Sequence, residues 1–310
     1  LTEAATLPVE VLDLLTWLRV ERGRSPNTLS AYRRDLTAYV TWLAGRGTSV
    51  GAVTEDDVNA YIGHLRASGR APSSQKRALV AVRSLHRFLA EEQEGRADPA
   101  ADVEVPRVPR GLPKALSEVE VAALLGSVEG SDATARRDRA ILEVLYGTGL
   151  RISELVGLSL ADLDLDAGLL RAFGKGSRER VVPVGRYAVA ALVDWLGPAG
   201  RPELQPDRWA RRDDADALFL NRRGGRLSRQ GAWMVVKRAG ERAGVTGHLS
   251  PHVLRHSCAT HMVDHGADIR TVQELLGHAS ISTTQVYTLV STERLWSVYR
   301  EAHPRARLQT

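Results

Sequence analysis

Apolar positions fall into two regimes along this chain, separated by a cluster of prolines. Ahead of the cluster they recur with the 3.6-residue spacing of helices that bury one stripe, over residues 8–21, 26–45, 55–68 and 73–93. Ser25 before Pro26, Thr54 and Pro72 open the last three segments. A side-chain oxygen at such a position accepts from a first-turn N–H, and a first-turn proline leaves no N–H unpaired. Pro99, Pro106, Pro109 and Pro113, gathered about Gly111, then interrupt the pattern and predict a linker over 103–113 between domains 1–102 and 114–310. Beyond it, an apolar helical run from Ala140 to Leu150 stops at Gly147-Thr148-Gly149, with Arg151 at the start of a new helix. Leu169–Phe173 and Arg180–Val184 read as two short strands joined by a hairpin through Gly174, Lys175, Gly176 and Ser177. A helix follows Ser250-Pro251. Another carries Ile269, Val272, Leu275 and Leu276, with Gly277 as its left-handed cap. Ser280 or Ser282 can cap a short helix bearing Tyr287, and Leu295, Trp296, Val298 and Tyr299 mark a last helix that ends before Pro304. These elements predict a mainly α protein of two domains: an all-α N-terminal domain, then a mixed α+β domain, mostly helical with a small antiparallel sheet.

Composition narrows the picture only slightly. With 310 residues and 43% hydrophobic content, both domains have ample core. The net charge of +5 permits nucleic-acid binding but is modest for this length, so local basic faces matter more than the total. Lys76, Arg83 and Arg87 form such a face opposite Leu79, Val82 and Leu89, although solvation is the ordinary use of a charged helix face. A single cysteine, Cys258, excludes an internal disulfide. No apolar run reaches membrane-spanning length, and Glu3, Glu10 and Asp13 interrupt any signal-like core, so a cytoplasmic protein with no membrane partner is expected. The Pro-, Arg- and Asp-rich stretch from Gly197 to Asp216 is expected to lengthen a loop.

The chemistry concentrates between Ser250 and Tyr287. His252, Arg255 and His256 stand at i, i+3 and i+4, which puts an imidazole and a guanidinium on one helix face. His278 follows a helix end, and Tyr287 comes nine residues later. Singly, each of these is more often a structural or solvated residue; together with Arg151 and Lys175 they suit attack by a phenol on a phosphodiester. Arg151 offers a bidentate fork to phosphate, Glu154 either orients it or forms a surface pair, and Lys175 can act as an acid. The spacing of His248, His252 and His256 by four, and of His261 and His265 likewise, raises a metal site as a competing reading. It is set aside because no Glu follows His252, Cys258 has no CxxC companion and Arg255 would repel a cation. Gly174-Lys175-Gly176-Ser177 departs from a P-loop, so a nucleotide site is not expected, and no cofactor is called for.

Arg151, Lys175, His252-x-x-Arg255, His278 and Tyr287 resemble the catalytic set of the tyrosine site-specific recombinases, the phage-integrase family. TGLRISELVGL, the whole run from Ser250 to Thr288, SPNTLSAYRRDL and the closing AHPRAR extend the resemblance to the XerC/XerD branch across essentially the whole chain, with STERL closer to its XerD side. The resemblance implies that Tyr287 is the nucleophile and that 1–102 is a core-binding domain which clamps DNA from the side opposite a catalytic domain, 114–310. Lys76, Arg83 and Arg87 would then be DNA contacts. It further implies metal-free, ATP-independent strand exchange at a dif-like site on double-stranded DNA, resolving chromosome dimers with a XerC/XerD-type partner in a heterotetramer and an FtsK-like DNA translocase. In this family the C-terminal segment docks on a neighbouring protomer. A phage or transposon integrase, a type IB topoisomerase-like enzyme and a DNA-binding protein that has lost catalysis stay open as alternatives.

Overall fold

The computed structural model describes residues 7–92, 97–105, 115–174, 179–245, 249–277 and 289–306. The chain divides into two compact units, Leu1–Gly111 and Leu112–Thr310, each with its own core.

The first unit holds α1 (Val9–Val20), α2 (Pro26–Gly45), α3 (Glu55–Ala67) and α4 (Pro72–Glu92), close to the periods read from the sequence. Ser25 accepts from Thr28 N–H at the start of α2, and Thr54 with Asp57 closes a capping box at the start of α3. Leu14, Leu36, Tyr39, Val58, Tyr61, Leu79, Val82 and Leu85 build the core. Polar side chains pair within it: Tyr39 Oη and His86 Nε2 lie 2.9 Å apart, and Arg77 forks onto Asp35 at 2.7 and 3.0 Å.

The second unit comprises α5 (Glu118–Gly126), α6 (Ala133–Thr148), α7 (Ile152–Gly157), β1 (Leu163–Asp164), β2 (Leu169–Phe173), β3 (Glu179–Pro183), α8 (Arg186–Leu196), α9 (Arg229–Arg242), α10 (Pro251–Asp264), α11 (Ile269–Leu276) and α12 (Leu289–Ala302). From Ala140 onward α6 is buried on every side, because α8, α9 and α10 all pack against it. The strands form one antiparallel sheet in the order β1-β2-β3. The hairpin strands were legible, whereas β1, with two residues, is too short to show a period. Its buried face carries Leu170, Ala172 and Val182, and also Arg180, which sits opposite Ala172 in register.

One expectation changes in this unit. The stretch 197–216 is not a plain loop: it contains 3-10 turns at Arg201–Leu204 and Arg212–Asp214, and buried Arg201 donates to the carbonyls of Ala217 (3.0 Å) and Ala215 (2.5 Å). Helix α12 spends its apolar face on its own unit, with Leu295, Tyr299 and Ala302 buried there. Gly185 and Gly147 make room for it, since a Cβ at Gly185 would lie 2.6 Å from Tyr299 Oη. Wholly buried His303 stacks on Tyr299 with ring centroids 4.7 Å apart.

Candidate active site

The site is built where two helices stop. Helix α6 ends at Gly149 with φ +60° and α11 ends at Gly277 with φ +67°. Such left-handed caps turn the last carbonyls away from the helix, where they need donors. Arginines supply them. Arg255, from α10, donates Nη1 to Gly149 O at 2.6 Å and Nη2 to Leu276 O at 2.5 Å. Arg151, the N-cap of α7, donates Nη2 to Gly277 O at 3.0 Å, and Arg180 donates Nε to Leu275 O at 3.1 Å.

One carboxylate organises these guanidiniums. Glu154 Oε1 accepts from Arg151 Nη1 (2.8 Å) and Arg180 Nη1 (3.0 Å), while Oε2 accepts from Arg180 Nη2 and the Arg151 backbone N–H, both at 2.8 Å. Its side chain is 2% exposed, so it orients Arg151 from within and is not a surface pair. Burial alone would raise its pKa, but the bonds from Arg180 and Arg151 outweigh burial and hold it below the usual carboxylate range. Arg255 is pushed down to about 10, first by burial and then by the nearby charge of Arg151, and it is still protonated at neutral pH. Three guanidiniums against one carboxylate leave the cluster cationic. Arg151, whose side chain is 34% exposed, is the member that reaches solvent. An anion arriving there meets donors already held in place.

Helix α10 begins as expected, with Ser250 capping and Pro251 in its first turn. Arg255 turns inward while His252 and His256 are exposed. Lys175, His278, Tyr287 and the expected helix around Tyr287 lie outside the described residues, as does His248. The four-residue spacing of His261 and His265 serves packing: His261 pairs Nδ1 with Tyr146 Oη (2.9 Å) and Nε2 with Leu116 O (2.7 Å), and His265 lies 3.2 Å from Glu118. Among the described residues no group of three or more His, Cys, Asp or Glu is placed to hold a metal ion. Cys258 is a buried apolar contact whose thiol is pushed up to about 12 by burial.

Arg180 is the member of the cluster that sequence reasoning passed over as a strand residue. The available signal was an arginine on the inward side of a short strand, which needs a partner if buried. In the first unit, Lys76 and Arg87 are exposed, and Leu79, Val82 and Leu89 are buried beneath them. Arg83 differs: its guanidinium donates to the carbonyls of Ala100 (3.0 Å), Ala101 (3.4 Å) and Val103, tying α4 to the segment that follows it.

The three arginines thus form a preorganised cationic site on a mostly helical fold. Residues 114–294 match the phage integrase family and residues 13–93 match its N-terminal SAM-like domain, so the chain belongs to the phage integrase family and is a site-specific tyrosine recombinase. Within it, the chain is 50% identical to the tyrosine recombinase XerD of Mycobacterium tuberculosis (strain ATCC 25618 / H37Rv), over 97% of this chain and 99% of that protein. It is 47% identical to XerD of Bifidobacterium longum (strain NCC 2705), over 95% of this chain and 97% of that one. The fold is shared with the XerH site-specific recombinase bound to palindromic difH substrate, at TM-score 0.66 and 23% identity, covering 93% of this chain and 83% of that one. A lambda integrase dimer bound to a core site gives TM-score 0.67 at 17% identity, covering 90% and 98%.

Proposed function

We propose that this recombinase breaks and rejoins double-stranded DNA through a 3′-phosphotyrosyl intermediate, with Arg151 and Arg255 as the pair that binds the scissile phosphate. The observation that carries this reading is the convergence of the two guanidiniums, which are held by Glu154 and by the carbonyls that end α6 and α11. In the proposed step Tyr287 Oη bonds to phosphorus, the bond from phosphorus to the 5′-oxygen breaks, and Lys175 gives that oxygen its proton. A phenol has a pKa of about 10, so Tyr287 must lose a proton as it attacks, with His252 as an acceptor. Charge gathering on the non-bridging oxygens is met by N–H contacts from Arg151 and Arg255 and by a hydrogen bond donated from His278. The phosphotyrosine keeps the energy of the broken bond, so a second strand's 5′-hydroxyl can reverse the step without ATP. None of these groups is a metal or a cofactor.

Similarity to XerD proteins supports a dif-like target and chromosome-dimer resolution, and the proposal is completed by a XerC/XerD-type partner in a heterotetramer and an FtsK-like translocase. The DNA-binding work is divided between a core-binding domain over 1–102, where Lys76 and Arg87 are exposed, and a catalytic domain over 114–310, joined by the linker 103–113. No helix among the described residues is long and apolar enough to cross a membrane. The proposed DNA substrate supports a cytoplasmic enzyme. The test is Tyr287→Phe on a nicked suicide substrate. Binding should stay near normal while covalent adduct disappears, because only the attacking oxygen is removed. An adduct that survives the substitution would assign the nucleophile elsewhere.

A further inference from the structure

Arg180 is buried on the core face of the sheet, and phosphate binding does not account for it. All three of its nitrogens are used inside the protein, Nη1 and Nη2 on the two oxygens of Glu154 and Nε on Leu275 O. Burying a guanidinium is costly unless it is paired and bonded, so a strand position that holds one serves some other need than packing. We infer that Arg180 is a positioning residue for the phosphate site: it takes up the charge of Glu154, leaving that of Arg151 for DNA, and it ties β3 to the end of α11. This inference rests on the reading of Arg151 and Arg255 as the phosphate pair.

Charge gives the first half of the case. Glu154 and Arg180 make a buried pair of zero net charge, with both carboxylate oxygens in the fork. Without Arg180 the same carboxylate would face Arg151 alone, and those two would neutralise each other. An incoming phosphate would then find Arg255, already engaged with two carbonyls, as the remaining uncompensated charge.

Geometry gives the second half. Arg180 stands on the strand that follows Lys175 in sequence, holds the carboxylate that orients Arg151, and bonds the last turn of the helix that precedes His278. Its guanidinium also lies against Gly277, where a Cβ would come within 3.1 Å of Cδ and Nη1. One side chain therefore joins three segments that bear proposed catalytic groups and lie far apart in sequence.

The test compares adduct formation on a nicked half-site carrying either the ordinary scissile phosphate or a methylphosphonate, in which a methyl replaces one charged oxygen. The methylphosphonate brings one negative charge fewer for the arginines to compensate. Arg151→Ala and Arg180→Met should each lose roughly 10²-fold on the phosphate and far less on the methylphosphonate. Equal losses of Arg180→Met on both substrates, beside a relieved Arg151→Ala, would overturn the role given to Arg180 and leave the phosphate pair standing. An unrelieved Arg151→Ala would instead overturn the phosphate-pair reading itself. Arg180→Met leaves buried Glu154 with Arg151 as its one remaining ion-pair partner among the described residues, so the double variant Arg180→Met/Glu154→Gln, in which residue 154 carries no charge, guards against misfolding. It should cleave the ordinary phosphate within about 10-fold of the unaltered protein, because a neutral residue 154 leaves Arg151 its charge. A loss of roughly 10²-fold in a double variant that is folded and binds the half-site would mean that Arg180 does not act through Glu154.

Discussion

Helices α2 and α3 in the first unit and α6 and α11 in the second all run out into a glycine of positive φ: Gly47 at +71°, Gly69 at +72°, Gly149 at +60° and Gly277 at +67°. The backbone demand is the same, since a Cβ in this conformation crowds the following carbonyl. The surroundings are not. Nothing lies within 4 Å of where a Cβ would stand on Gly47 or Gly69, whereas on Gly149 it would meet Leu276 Cδ2 at 2.5 Å and on Gly277 the Arg180 side chain at 3.1 Å. In the first unit the glycine only ends a helix. In the second it also lets two helix C-termini close on a cluster of arginines, and their partly negative carbonyls hold like charges together before any DNA arrives. Glycine thus marks where a helix stops, but its neighbours decide whether that stop is a turn or part of a site.

The largest effect should follow Gly149→Ala. The left-handed backbone costs about 1–2 kcal/mol, and the clash with Leu276, which is 4% exposed and has little room to move, adds about 1–3 kcal/mol. A total loss of about 2–5 kcal/mol is expected for the second unit, read by hydrogen exchange in peptides covering α6 and α10. Adduct formation should fall with it, because Arg255 is bonded to Gly149 O. Protection and cleavage that match the unaltered protein would show that Leu276 yields freely and that this cap is no tighter than Gly47.

Much of this was legible in the sequence, for physical reasons that differ by element. The four helices of the first unit carry a long apolar period, and α2 and α3 have side-chain caps, so the ends of all four fall within a residue or two of expectation. Gly277 was read as a left-handed cap because an apolar stripe stops there, and Arg151 as a helix start because a Gly-Leu break precedes it. Position in the chain, however, carries no information on distant partners. Arg151 touches Gly277 across 126 residues and Arg255 touches Gly149 across 106, contacts that no local pattern encodes. Arg83 shows the converse: its helical face was read correctly, yet its guanidinium is bound to the carbonyls of Ala100 and Val103. Ile269 fits the apolar period of α11 and is nonetheless 61% exposed, since a period assigns a stripe without fixing how far the neighbouring elements cover it.

Gly277→Ala should have a middle effect, with a different balance between stability and function. The conformational cost of about 1–2 kcal/mol is the same, but here the neighbour is the guanidinium end of Arg180, which must shift by a few tenths of an ångström. That shift falls on the fork to Glu154, so cleavage should drop by about 10-fold while half-site binding measured by gel shift stays within about two-fold. Cleavage reduced only in proportion to the folded fraction would place Gly277 with the first-unit glycines.

Gly47→Ala should do least, and it sharpens the contrast because it isolates the backbone term. With nothing near the added methyl, the loss should be about 1–2 kcal/mol, confined to exchange in peptides of α2 and α3, with cleavage per bound protein unchanged. Asparagine separates the two kinds of site further, since it tolerates the left-handed region better than other residues with a Cβ. Gly47→Asn should therefore recover much of what Gly47→Ala loses. Gly149→Asn should recover nothing, because its cost lies mainly in the collision with Leu276 and the larger side chain adds to it. If asparagine rescues both positions alike, the collision carries no weight and the two helix ends differ only in what their carbonyls bind.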